Sequence, residues 1–376
     1  MKNAKRIVAC ILMAFSLLTS GCSQQANPPI NKDSSGMTSS GSEPDNGTKI
    51  IPTDKITALE DGLDVVRFEG DYGFSDFLAQ GGASSDRDVV EYLAANLLDN
   101  FNIEGILGNL FGCSTLAATS PEGDALFGRN FDWDTCNALV VASYPDDGYA
   151  SISTVNTDFV AQGAESGTVG AALALDQVKT LAALYAPLDG MNEAGLAVSV
   201  NMIQDSDTID QDTDQPDITT TTAVRLLLDN AADVDEALML LQQYDMHASM
   251  GYMVHFALAD RSGNSVVVEY VNNEMVVTET PAVTNFYLSD GEKYGVGTRQ
   301  SHERYDLLME RFSQSEHMRM TDMRDALDSV SKDNFDEFAS TEWSIVMNLT
   351  TGEARYYHRE NYETGYVLTI KGGEPA

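Results

Sequence analysis

Two short extended segments, 113–119 and 125–130, flank Ser120-Pro121-Glu122-Gly123-Asp124, a run of turn-forming residues. That arrangement predicts a β-hairpin. No other feature restricts the fold as tightly, because the hairpin decides which reactive residues become neighbours. Its return strand brings Arg129 and Asp132 back towards Cys113, so that a thiol, a guanidinium and a carboxylate share one end of a sheet. A neighbouring arginine favours the thiolate, the nucleophilic form of cysteine. Gly112, without a Cβ, lets the Cys113 thiol approach the Gly112 carbonyl. The same residues also fit a buried apolar cysteine beside a surface ion pair, or a disulfide between Cys113 and Cys136.

The chain opens with a targeting segment. Lys2, Lys5 and Arg6 precede the apolar run Ile7 to Leu18, which ends in Leu18-Thr19-Ser20-Gly21-Cys22. That ending resembles a bacterial lipobox, so residues 1–22 read as a lipoprotein signal peptide with Cys22 as the lipidation site. An ordinary secretory signal is the alternative, and the apolar run is too short for a spanning helix. Either way the expected location is extracytoplasmic, with the lipid as the only membrane contact. Residues 23–49, rich in Ser, Gly, Pro and Asn, read as a flexible tether. The formal charge is −36, and loss of the three positive charges in residues 1–21 takes it to −39. Such a balance argues against nucleic acid as a partner. Outside the signal and Cys22 only Cys113 and Cys136 remain, too few for a disulfide framework.

Residues 50–112 are patterned rather than disposable. Leu63 to Glu69 reads as extended, and Phe74 to Gln80 and Arg87 to Leu98 as helices, with Asp86 as the cap of the second. This part is expected to stay packed on a core at 113–376. Strands are predicted at 138–144 and 149–155, a helix at 171–184, and a turn entering a strand over Leu188 to Asn201. The acidic stretch 204–222 reads as a solvated surface loop; Pro216 and the lack of a closing glutamate speak against an EF-hand, though calcium binding stays open. Helices follow at 219–230, behind a threonine run, and at 233–244, where Asp233 and Glu236 form a capping signal. A meander spans 252–283, a helix Thr298 to Arg311, and closing strands 341–348 and 355–359.

Cys113-Ser114-Thr115, with Arg129-Asn130-Phe131-Asp132 at the matching distance, resembles the opening of the choloylglycine hydrolases and related linear amide C-N hydrolases. These are N-terminal-nucleophile (Ntn) hydrolases, also akin to penicillin acyltransferases and acid ceramidase-like enzymes. Gly190-Met191-Asn192-Glu193-Ala194-Gly195-Leu196, Thr284-Asn285 and Ser301-x-x-Arg304 resemble later motifs of the same family. The resemblance runs over about residues 113–370. It implies an α+β fold, the four-layer αββα sandwich, acting on small-molecule amides without metal or cofactor.

By that resemblance Cys113 is the nucleophile, its own α-amine the base, Asp132 the partner of the ammonium and Arg129 the group that lowers the thiol pKa. The Asn192 backbone N–H and the Asn285 side chain are then oxyanion donors, worth about 3 kcal/mol each, and Arg304 is the distal arginine, with Arg299 the bland alternative. Family members that begin Met-Cys free this amine by losing methionine. Here Cys113 is internal, so the resemblance implies autocleavage between Gly112 and Cys113, the thiol attacking the preceding carbonyl. Bile salts or penicillin V-like amides are the implied substrates. Acyl transfer on the same scaffold and a non-catalytic surface-binding lipoprotein are the rival functions. A cysteine–histidine pair using His255 or His302 is the rival chemistry.

Overall fold

The computed structural model describes residues 47–96, 112–162, 175–315, 317–333 and 339–370. The expected signal peptide with Cys22, most of the tether, residues 97–111 and the start of the expected helix 171–184 lie outside the described residues.

Among the described residues two large sheets face each other. The first runs Thr48–Lys49, Tyr366–Thr369, Glu353–His358, Ser340–Asn348, Ala125–Trp133, Gly112–Thr119 and Ala282–Val283, neighbour to neighbour. The second runs Glu274–Glu279, Ser265–Val271, Val254–Asp260, Leu196–Met202, Asp189–Asn192, Ser151–Asn156, Ala138–Tyr144, Leu63–Glu69 and Thr57–Glu60. The predicted hairpin lies within the first sheet, between Ser340–Asn348 and the edge strand Ala282–Val283, with Cys113 opposite Phe131 and Thr115 opposite Arg129.

Strand side chains alternate between faces, and here both faces are covered. Phe127, Phe131, Trp343 and Ile345 point inward and share a core with Val140, Ile152, Met191 and Ala197 of the second sheet. Leu116, Leu126 and Val346 point outward onto Leu308, Met323 and Leu327, which belong to helices Arg299–Gln314 and Met320–Ser329. Each such side chain contributes roughly 1.5–3 kcal/mol by leaving water. Gly128 lets the second helix lie close, since a Cβ there would come 2.7 Å from Met323 Sδ. Helices Asp176–Leu184, Thr220–Asn230 and Val234–Leu241 cover the outer face of the second sheet. The layering is thus helix, sheet, sheet, helix, as expected.

The segment before Cys113 is built into this frame. Leu63–Glu69 pairs in parallel with Ala138–Tyr144, and Tyr72, Phe74, Phe77, Tyr92 and Tyr185 pack ring against ring beside it. Thr48 and Lys49, expected to close the tether, pair instead with Tyr366–Val367. Asp86 opens its helix but does not cap it. Ser85 Oγ accepts the Asp88 N–H at 3.3 Å, while the Asp86 carboxylate accepts the Met250 N–H at 2.6 Å. The acidic stretch is only partly loop: Asp217–Thr219 is a strand, and Thr219 caps the next helix through a box with Thr222. Four of its six carboxylates are engaged, Asp205 and Asp207 on Lys293 and Asp210 and Asp217 on the two nitrogens of His247.

Candidate active site

Alternation along Ala125–Trp133 separates the two partners expected for Cys113. Arg129 points between the sheets on the same face as the thiol, whereas Asp132 points outward towards helix Arg299–Gln314. Cys113 therefore meets different chemistry on its side-chain and main-chain sides.

On the inner side, Arg129 Nη2 is 3.5 Å from Cys113 Sγ and also donates to the Val200 carbonyl at 3.0 Å. Its Nη1 donates to the Leu188 carbonyl at 2.5 Å and pairs with Asp189 Oδ2 at 2.8 Å, with both side chains fully buried. Trp343 Nε1 donates to that same oxygen at 3.0 Å. The thiol borders a small apolar recess with Leu188, Val200, Met202, Met250 and Tyr252. Burial pushes the Cys113 thiol up, and the Arg129 guanidinium only partly offsets it. Arg129 acts in the expected direction, and removal from water outweighs it.

On the main-chain side, the Cys113 N–H donates to Asn285 Oδ1 at 2.9 Å. Arg304 Nη2 donates to the same oxygen at 2.5 Å, and its Nη1 donates to Asp132 Oδ2 at 2.7 Å. Asn285 Nδ2 donates to the Met202 carbonyl at 2.7 Å. The Ser301-x-x-Arg304 spacing acquires a reason here. Residues three apart share a helix face, so Ser301 Oγ accepts the Asn285 N–H at 2.7 Å while Arg304 holds that residue's side chain. Thr298 caps the helix that presents them. Arg299 instead lies at the surface against Glu303.

Asn192 is not brought to this group. Its Oδ1 accepts the N–H groups of Gly195 and Leu196, and its Nδ2 donates to the carbonyls of Leu228 and Ala231. Gly195, at φ 97°, closes the turn that this asparagine organises. Its backbone sits in the strand pairing with Ser151. Gly112 is the first residue of its strand, opposite Asp132. Cys136 is a free thiol, as is Cys113, so no disulfide joins them. His255 is fully buried, with Nδ1 on Glu269 at 2.9 Å and Nε2 donating to the Thr284 carbonyl at 2.8 Å. His302 stacks on Phe286 and donates to the Gly295 carbonyl. Neither histidine faces the thiol.

Four residues join the site without having been read as site residues in the sequence. Asp189 anchors Arg129. Thr341, the cross-strand neighbour of Asp132, donates its hydroxyl to Asp132 Oδ1 at 2.7 Å. Lys332 brings Nζ within 3.6 Å of Asp132 Oδ2, and burial lowers its pKa. Asp86 reaches the recess from the N-terminal segment by holding Met250, whose φ of 56° lies in the left-handed region. For Thr341 a pattern signal existed, since a strand predicted there had to pair with something; for Lys332 and Asp86 there was none.

Residues 113–296 match the profile of the linear amide C-N hydrolases, choloylglycine hydrolase family. The chain is 30% identical over 99 residues to penicillin V acylase of Pectobacterium atrosepticum, a stretch covering 24% of this chain and 26% of that protein. The fold is similar to a variant of the conjugated bile acid hydrolase from Clostridium perfringens, with a TM-score of 0.50 at 17% identity, covering 70% of this chain and 95% of the other. Penicillin V acylase from Agrobacterium tumefaciens gives a TM-score of 0.48 at 19% identity, over 65% and 83% of the two chains.

Proposed function

From the match of residues 113–296 to the linear amide C-N hydrolases of the choloylglycine hydrolase family we propose that this chain is a member of that family, an exported, lipid-anchored hydrolase of linear N-acyl amides. The observation that carries this reading is the divided environment of Cys113: thiol against Arg129, main-chain nitrogen against Asn285. A cysteine used as both nucleophile and base needs both ends held at once.

Activation begins with the Cys113 thiol attacking the Gly112 carbonyl. The acyl group shifts from nitrogen to sulfur, and water hydrolyses the thioester, leaving a Gly112 carboxylate and a free Cys113 α-amine. In turnover that amine accepts the thiol proton as sulfur attacks the substrate carbonyl. It then gives the proton to the leaving amine, and water releases the acid. Asn285 acts as an oxyanion donor by turning Nδ2 from the Met202 carbonyl to the substrate oxygen. The apolar recess beside the thiol suits an apolar acyl group. Conjugated bile acids and penicillin V, named by the similar proteins, are the compounds to try first.

The test is intact mass and N-terminal sequencing of the full chain and of Cys113→Ala, with hydrolysis of both compounds followed by release of the amine. The expected result is a fragment starting at Cys113 only in the unaltered chain, with turnover confined to it. Turnover in Cys113→Ala, or active protein with no such fragment, overturns the reading. Cys22→Ser should release the protein from membranes to the aqueous phase, since the lipid alone holds it there; continued sedimentation with membranes would contradict the anchor.

A further inference from the structure

Lys332 lies between helix Met320–Ser329 and strand Ser340–Asn348, with its side chain 11% exposed and Nζ 3.6 Å from Asp132 Oδ2. That oxygen already accepts from Arg304, and the other accepts from Thr341. Thr341 also fixes the lysine's backbone: Lys332 N–H donates to Thr341 Oγ1 at 2.8 Å, and the Lys332 carbonyl accepts from the Thr341 N–H at 2.9 Å. One buried carboxylate is therefore shared by two cationic side chains before any charge appears on Cys113.

Cleavage before Cys113 would add an amine to this group. The charges around it come from every neighbouring element. Asp132 and Arg129 are on its partner strand, Arg304 is on helix Arg299–Gln314, and Lys332 precedes strand Ser340–Asn348. Asp189, on the facing sheet, is neutralised by Arg129. The Cys113 thiol is the remaining titratable neighbour. With Arg304 and Lys332 both on Asp132, no negative charge is left over for a third cation. We propose that Lys332 is a positioning residue that competes with the freed Cys113 α-amine for Asp132 and so keeps that amine unprotonated, ready to take the thiol proton. This rests on the reading of Cys113 as an N-terminal nucleophile. Two amines bound to one carboxylate titrate as a pair, their apparent values forced apart. Lys332 neither gains nor loses a proton over the cycle: the proton passes from the Cys113 thiol to its amine and on to the leaving group.

The experiment is the pH profile of kcat/KM for a linear N-acyl amide, measured on processed protein with Lys332→Met and Lys332→Arg. The fragment starting at Cys113 and its alkylation by iodoacetamide are scored first. Their absence from the unaltered chain would count against the nucleophile, not against Lys332. Lys332→Met should move the acidic limb upward by about one pH unit, because the ammonium gains sole use of a nearby opposite charge. Lys332→Arg should leave the limb in place. If Lys332→Met does not process, Lys332→Gln carries the same expectation. An unmoved limb, or a lower plateau with no shift, overturns the proposal.

Discussion

Arg304 and Asp132, 172 positions apart in sequence, meet at 2.7 Å in the interior, with side chains 2% and 0% exposed. The pair joins helix Arg299–Gln314 to the hairpin that carries Cys113, so structure and chemistry depend on one contact. Asp132→Asn leaves Arg304 buried without its counter-charge. The expected cost is about 3 kcal/mol, read from denaturant midpoints. Turnover should fall with it, since an amide cannot balance the cations around the Cys113 nitrogen. Unchanged stability would show that the pair holds little.

Asn285→Ala separates catalysis from packing. The expected loss is about 100- to 1,000-fold in kcat, as for removal of one oxyanion donor, with KM little moved. A change confined to KM would assign Asn285 to binding instead.

Asp86 offers a pH-dependent test from outside the hairpin. Burial raises its carboxyl above 3.8, and its bonds to Met250 and Ser249 only partly counter this. The folded protein thus holds this proton more tightly than the unfolded chain does. Its contribution to stability is full below the unfolded value and is lost as pH rises through the folded one. Asp86→Asn should remove that slope from the stability–pH curve. Asp86→Ala should raise KM about fivefold, the worth of one ordinary hydrogen bond, with kcat nearly unchanged, because Met250 loses its holder. Equal KM values would detach Met250 from substrate.

His255→Ala and His302→Ala should behave differently. His255 hydrogen-bonds the buried Glu269, whose carboxyl that contact holds low, so its loss, which strips a buried carboxylate of its partner, should cost about 3 kcal/mol. It also steadies the Thr284 carbonyl, one residue before Asn285. His302→Ala should leave turnover and melting temperature close to those of the unaltered chain. Collapse of turnover in His302→Ala, with Cys113 still alkylated, would point to a cysteine–histidine enzyme.

Legibility in the sequence followed the range of the interaction. The hairpin, the capped helices and the meander were readable because their causes lie within a few residues, as Thr219 with Thr222 shows. Ser301 and Arg304 were readable because a helix puts them on one face. Lys332 and Thr341 were not, since their common partner Asp132 is some two hundred positions away. Asn192 shows the opposite failure. Its motif is real, but its side chain serves a turn closed by Gly195. The sign of the Cys113 shift was also out of reach, since it depends on burial between two sheets.

Leu63–Glu69 lies inside a sheet, flanked by Thr57–Glu60 and Ala138–Tyr144. A chain cut before Cys113 would keep that strand, together with Thr57–Glu60, as a separate molecule that extends the edge of its partner's sheet. Its unfolded form would then be two polypeptides, and recovery a second-order event. The melting temperature would rise with protein concentration, and heated enzyme at high dilution would not regain activity on cooling. Maturation would convert a protein that can refold alone into one that is assembled only once.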